Sequence, residues 1–310
     1  MLSSGQRLGG TAGVLVAAIL WGTTGTAATY APDLSPLAVG AVAMGIGGLL
    51  QGLIAAASIT RQRRLIARHR RFLLTGAVAV AVYPLAFYAS MRYAGVTVGT
   101  VISIGSAPLL SALIEYRLDG LRLTRQWICG AAAGIAGMVL LCLAEGGEHG
   151  SGNNHVVAGM LLGLLAGFTY SLYSWSARRL MQGGVAPRAA MGATFGAGGL
   201  LLMPVLLLTG APLLAAWNNA AVGIYMALVP MFVGYLCYGY GLARIPASMA
   251  TTITLLEPVV AALLAVLLVG ERLPPSGWAG VGLIVACLAV ITLPPGLLPF
   301  RPGRRRTDTV

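Results

Sequence analysis

The segment LLEPVVAALLAVLLVGERLPPSGWAG, residues 255–280, decides the fold, because an earlier copy lies 150 positions upstream as GSAPLLSALIEYRLDGLRLTRQWICG, residues 105–130. Without a gap, Pro108 meets Pro258, Gly120 meets Gly270, Arg122 meets Arg272, Leu123 meets Leu273 and Gly130 meets Gly280. Further out, Tyr88 falls on Tyr238. A chain rich in Ala, Leu and Gly matches itself by chance, so the paired Pro, Arg and Tyr carry most of the weight. Self-similarity at a fixed offset is a signature of repeated architecture.

Both copies sit in apolar surroundings. Of the 310 residues 57% are hydrophobic and only 9% are charged, whereas soluble domains carry about 25% charged residues. So few charges cannot cover a wetted surface, and the chain reads as an integral membrane protein. A bilayer core takes roughly 20 apolar residues per helix, and ten runs fit: 10–30, 36–59, 72–91, 97–116, 127–144, 157–177, 189–209, 220–241, 247–269 and 277–294. Arg7 precedes a first run too long for a secretory signal core, so the expectation is an uncleaved first helix. The loop EGGEHGSGNNH, Glu145–His155, is polar and unpatterned and divides the runs five and five. The expected fold is therefore all-α, with ten transmembrane helices. Residues 8–144 form the first five-helix repeat, 145–156 a linker, 157–294 the second repeat and 295–310 a basic tail. Five is odd, so the copies must lie upside down to one another, the inverted arrangement of many secondary transporters.

The net charge of +12 comes from twenty arginines and no lysine. Without lysine there is no Walker A loop and no Schiff-base chemistry on a lysine amine. The arginines cluster at 61–71, 117–125, 178–188 and 301–306, between apolar runs, as the positive-inside rule places cytoplasmic loops. With both termini inside, eighteen of the twenty fall in the cytoplasm and only Arg92 and Arg272 outside. A nucleic-acid surface would need one continuous basic face, and none is present in the pattern. The tail RPGRRRTDTV suits anionic headgroups. Ala-, Gly- and Arg-rich usage points to a GC-rich bacterium and its inner, or plasma, membrane. Cys129, Cys142, Cys237 and Cys287 fall inside apolar runs without CxxC spacing, so neither a disulfide framework nor a metal site is expected. His69, His149 and His155 read as loop residues, and no cofactor is expected.

At this point the residues resemble a known family. TTITLLEPVVAALLAVLLVGERLPPSGWAGVGLIVACLAVI, Thr251–Ile291, is similar to the second repeat of EamA-type members of the drug/metabolite transporter superfamily, and LWGTTGT from Leu20 resembles their first helix. The likeness spans about residues 10–294. It implies ten helices in two repeats and a secondary carrier, often an exporter of amino acids, metabolites or drugs. In the first repeat, Leu121 stands at the glutamate of GERL and Ala107 opposite Glu257, so a mechanism built on symmetric carboxylates is not expected.

Site candidates follow from chemistry. Glu257 lies about ten residues into its run, where an ionised carboxylate costs about 2.5–3.5 kcal/mol and functional use is the default reading. It serves either as a proton-coupling group or as a hydrogen-bonded pin beside Pro258. Pro108 and Pro258 each free a helical carbonyl, which suits paired hinges or cavity walls. Trp21, Thr23 and Thr24, with Tyr83, Tyr88, Tyr170, Tyr173, Tyr235 and Tyr238, form a polar aromatic set fit for an amphipathic small-molecule substrate. Thr251, Thr252 and Thr254 line the same path or bond back to their own helix. Glu115 reads as part of a cytoplasmic salt-bridge cluster with Arg117, Asp119 and Arg122. Gly130, Gly134 and Gly137 suit close packing, within the chain or across a homodimer. Trp127, Trp175 and Trp278 read as interfacial anchors. Catalysis lacks its usual motifs: HExxH, GxSxG and paired intramembrane aspartates are missing. An intramembrane enzyme and a non-transporting membrane sensor remain the alternatives.

Overall fold

The computed structural model describes residues 4–94, 96–121, 123–144, 153–269 and 274–292. Most of the linker 145–156, the tail 295–310, Arg122 and residues 270–273 of the second GERL segment lie outside the described residues. What is described is helical, with no strand among the described residues. Eight of the described helices are long and apolar enough to cross a membrane.

In chain order, α1 (Ser4–Gly22) and α2 (Thr24–Ala28) form the first rod. The second comprises α3 (Pro36–Gly40), a π segment (Ala41–Ile46) and α4 (Gly47–Arg68). There follow α5 (Arg70–Ala94), α6 (Val96–Asp119), α7 (Arg125–Ala144), α8 (Asn153–Gln182) and α9 (Pro187–Thr209). The next rod contains α10 (Ala211–Ala215), α11 (Trp217–Met226), a π segment (Ala227–Val233) and α12 (Gly234–Leu242). The ninth run folds as α13 (Ala247–Ile253), α14 (Leu256–Leu264) and a π segment (Ala265–Val269), and α15 (Pro275–Thr292) closes the described chain.

Local chemistry sets these ends. The Ser35 hydroxyl accepts from Ala38 N at 3.2 Å with Pro36 behind it, a helix start with its orphan amide satisfied. Helix α8 stops where Gly184 takes φ +91°, with Val185 N donating to Leu180 O at 3.1 Å and Gly184 N to Met181 O at 3.0 Å, the Schellman pairing.

Packing runs through small residues, as in membrane bundles where backbones must approach closely. Helix α4 meets α9 at Gly52 and Gly196, where a Cβ on Gly196 would sit 3.0 Å from Gly52 Cα. Helix α7 meets α15 at Gly137, whose absent Cβ leaves room for Gly280 O. Gly130 and Gly134 face Ile291 and Cys287 of that same helix, so these glycines pack within the chain. Helix α5 lies on α8 and α9, α6 on α8 and α13, and α1 on α12 and α14.

Three sequence readings need correction. His155 belongs to α8 and stacks on Tyr93 at 6.2 Å, because that helix begins two residues ahead of it. Trp175 is buried and donates to Asp119 Oδ2 at 2.9 Å, so it is no interfacial anchor. Glu115 joins no ion pair among the described residues; Asp119 instead meets Arg179 at 3.5 Å.

Candidate functional site

Three interrupted helices converge on the middle of the bundle. Helix α13 ends in a turn at residues 254 and 255, and α14 restarts at Leu256. The two π segments 41–46 and 227–233 pack against each other. A π turn holds an extra residue and frees backbone carbonyls, and such backbone is tolerated at membrane depth where protein or a watered cavity satisfies it. Two side chains bond carbonyls of the second segment: Trp21 Nε1 donates to Pro230 O at 2.9 Å and Gln51 Nε2 to Met231 O at 3.4 Å.

Between them lies a cavity of about 40 Å³, room for a few water molecules. Trp21 and Thr24 wall it from the first rod, Gly40, Ala43 and Met44 from the second, and Tyr83, Pro84, Phe87 and Tyr88 from α5. Tyr170 and Tyr173 of α8, Met231, Tyr235 and Glu257 complete it. The rings form one cluster: Trp21 lies 4.7 Å from Tyr235 and 5.2 Å from Tyr238, and Tyr83 lies 5.6 Å from Tyr170.

Most polar groups in this cluster are already committed. Thr254 Oγ1 donates to Thr251 O at 2.9 Å, so the 2.8 Å contact with Tyr170 takes its hydrogen from the phenol. Ser174 Oγ donates to Tyr170 O, so Tyr238 likewise donates to Ser174, at 2.8 Å. Tyr173 and Tyr235 share a hydrogen bond at 2.7 Å, and Thr24 donates to Trp21 O at 2.7 Å. The Tyr83 and Tyr88 hydroxyls and the Glu257 carboxylate have no hydrogen-bond partner among the described residues. Glu257 nonetheless lies near enough to bear electrostatically on Tyr83, Tyr88 and Tyr235. No arginine is among the described residues that line the cavity. The arrangement offers a solute one acid, two free phenols and several aromatic faces.

Other expected site residues stand elsewhere. Thr251 and Thr252 are fully buried and bond back to Ala247 O and Ser248 O. Thr23 donates to Leu20 O at 2.6 Å and accepts from Tyr225 at 2.7 Å. Tyr238 lies behind the wall. Helix α6 runs unbroken through Pro108, while the break near Pro258 falls three residues before it. The sequence reading missed Phe87 and Met231, which only the apolar background of their runs concealed, and the two π segments, for which no residue pattern is known.

Among known proteins, the model of the EamA-like transporter family matches residues 8–143 and again 157–293. A Bacillus subtilis protein named "Uncharacterized transporter YwfM" is 33% identical over 91% of this chain and 93% of its own. A Streptantibioticus cattleyicolor protein named "Probable terminal-alkyne amino-acid exporter" is 27% identical over 92% of this chain and 98% of its own. One solved crystal structure superposes with a TM-score of 0.74 at 22% identity, over 93% of this chain and 96% of that one, a likeness of fold.

Proposed function

Because the chain belongs to the EamA-like transporter family, we propose that it is a secondary carrier exporting small organic solutes by alternating access between two inverted five-helix repeats. Eight described helices are long and apolar enough to span; in this reading α7 and α15 are the other two, making five in each half. Helix pairings support a two-fold relation between the halves. Under the 150-residue offset the pairing of α5 with α8 corresponds to that of α12 with α1, and α6 with α8 to α14 with α1; both members of each are present. The pairs α4 with α9 and α7 with α15 are their own counterparts. An odd number of spans per half then turns one copy over, and the arginine distribution puts both termini in the cytoplasm of a bacterial inner membrane.

The observation that carries the reading is the carboxylate of Glu257, without a hydrogen-bond partner among the described residues, at a cavity where helices break. Its lack of a bond disfavours a pinning role and leaves it free to take up and release a proton. A cavity whose described residues include one acid, no arginine and many rings favours solutes that present an amine and an apolar body, a class in keeping with the amino-acid exporter among its relatives. A cavity of about 40 Å³ must widen to admit such a solute; a sensor would keep it closed.

Proteoliposomes loaded with labelled amino acids test this. Wild-type protein should release at least one of them faster under an imposed pH gradient, and Glu257→Gln should abolish the dependence on the gradient. Unchanged pH-dependent flux in Glu257→Gln removes the coupling role.

A further inference from the structure

Toward the end of the bundle that bears the arginines the cavity is closed by packed side chains, and this closure is held by two charged residues that the transport cycle described above does not use. Helix ends bearing arginines gather at one end of the bundle: Gln62 Oε1 accepts from Ala186 N, Phe72 meets Trp175 edge to face, and Arg179 meets Asp119. Three helices run from the cavity to this end in the same order. On α8 they are Tyr173, Ser174 and Arg178; on α12, Tyr235, Tyr238 and Leu242; on the ninth run, Glu257, Thr251 and Ala247. Ser174, Tyr238, Leu242, Thr251 and Ala247 are all fully buried, so about 8–15 Å of closed packing separates cavity from end at a rise of about 1.5 Å per residue.

The turn joining α12 to α13 caps that plug, and it is clamped twice. Glu115 of α6 is 2% exposed and accepts from Ala247 N at 2.7 Å through one oxygen and from Ser248 N at 3.0 Å through the other. Amides at a helix start have no partner within the helix, and charge-assisted bonds to them are strong. Arg178 of α8 donates to Leu242 O at 2.6 Å and also to Ile245 O. The repeat offset supplies no counterpart of this pair: Glu115 falls on Ala265 and Arg178 on Ala28. Neither alanine side chain can accept or donate.

We propose that Glu115 and Arg178 form a latch holding the arginine end shut, so that the carrier rests open toward the other end and must break this clamp to load from the arginine side. The proposal rests on the alternating-access reading. Its asymmetry is the point: two repeats of one fold supply two closures, and the repeat offset carries this Glu–Arg pair into only one of them.

The test uses the full chain in sealed vesicles of both orientations, with its four cysteines replaced by serine and Thr24→Cys as a reporter at the cavity wall. A membrane-impermeant maleimide added from each side reads access. Glu115→Ala and Arg178→Ala should raise labelling from the arginine side at least tenfold and lower it from the other. Glu115→Gln, which keeps shape and one acceptor, should fall between, and guards against an Ala variant that does not fold. Amide exchange at Ala247 and Ser248 should quicken in each Glu115 variant. Faster exchange with unchanged labelling makes Glu115 merely structural and overturns the proposal, as does unchanged labelling in folded Glu115→Gln and Arg178→Ala. Failure of the carrier reading looks different: no solute flux from wild type, with labelling still responsive to Glu115→Gln.

Discussion

Trp21 concentrates the physics of the site in one side chain. Its indole packs on Tyr170, Tyr235 and Tyr238 and donates to the Pro230 carbonyl within the π segment. A net hydrogen bond contributes about 0.5–1.5 kcal/mol, and an orphaned buried acceptor costs more. Trp21→Phe should therefore lower thermal stability in detergent by about 1–3 kcal/mol; an unchanged melting curve would mean that water replaces the indole. Residue by residue, Glu257 was legible because it is the acid placed deep in the ninth apolar run. Glu115 was not, because its partners are backbone amides 132 and 133 positions away, and backbone donors leave no mark in a sequence. The aromatic set was legible as a group, but which phenols spend their hydrogens on neighbours and which remain free is settled only by packing.

At the scale of the element, glycine placement separates contact faces from filler. A Cβ at Gly137 would stand 2.6 Å from Gly280 O, whereas one at Gly282 meets nothing within 4 Å. Gly137→Ala should destabilise by about 1–3 kcal/mol through forced separation of α7 and α15. Gly282→Ala should be neutral or gain up to about 1 kcal/mol from helix propensity. Thermal unfolding of the two variants side by side checks both. The helical runs were readable because hydropathy over about 20 residues is a strong signal. Their interruptions were less so. Proline marks where a helix lacks a donor, yet α6 runs straight through Pro108, and the segment 41–46 bulges with no proline at all. The deciding partners, such as Gln51 and Trp21, come from other helices.

For the molecule as a whole, the interlocked halves make folding and ligand occupancy one equilibrium. A solute held only by the folded carrier stabilises it by about 2.7 kcal/mol at a hundred times its dissociation constant. A thermal-shift screen should therefore single out amine-bearing amphipathic solutes for wild type, with the shift lost in Glu257→Gln; stabilisation by anions alone would contradict the chemistry of the cavity. One consequence belongs to the paired π segments. Each stores one surplus residue in its turn, and smoothing it out would rotate the helix beyond by about 100° and advance it by about 1.5 Å. Met44 and Met231, which sit within those segments, are thus placed on threads that can be re-indexed by a single notch, swapping which side chains the lumen sees without bending any rod.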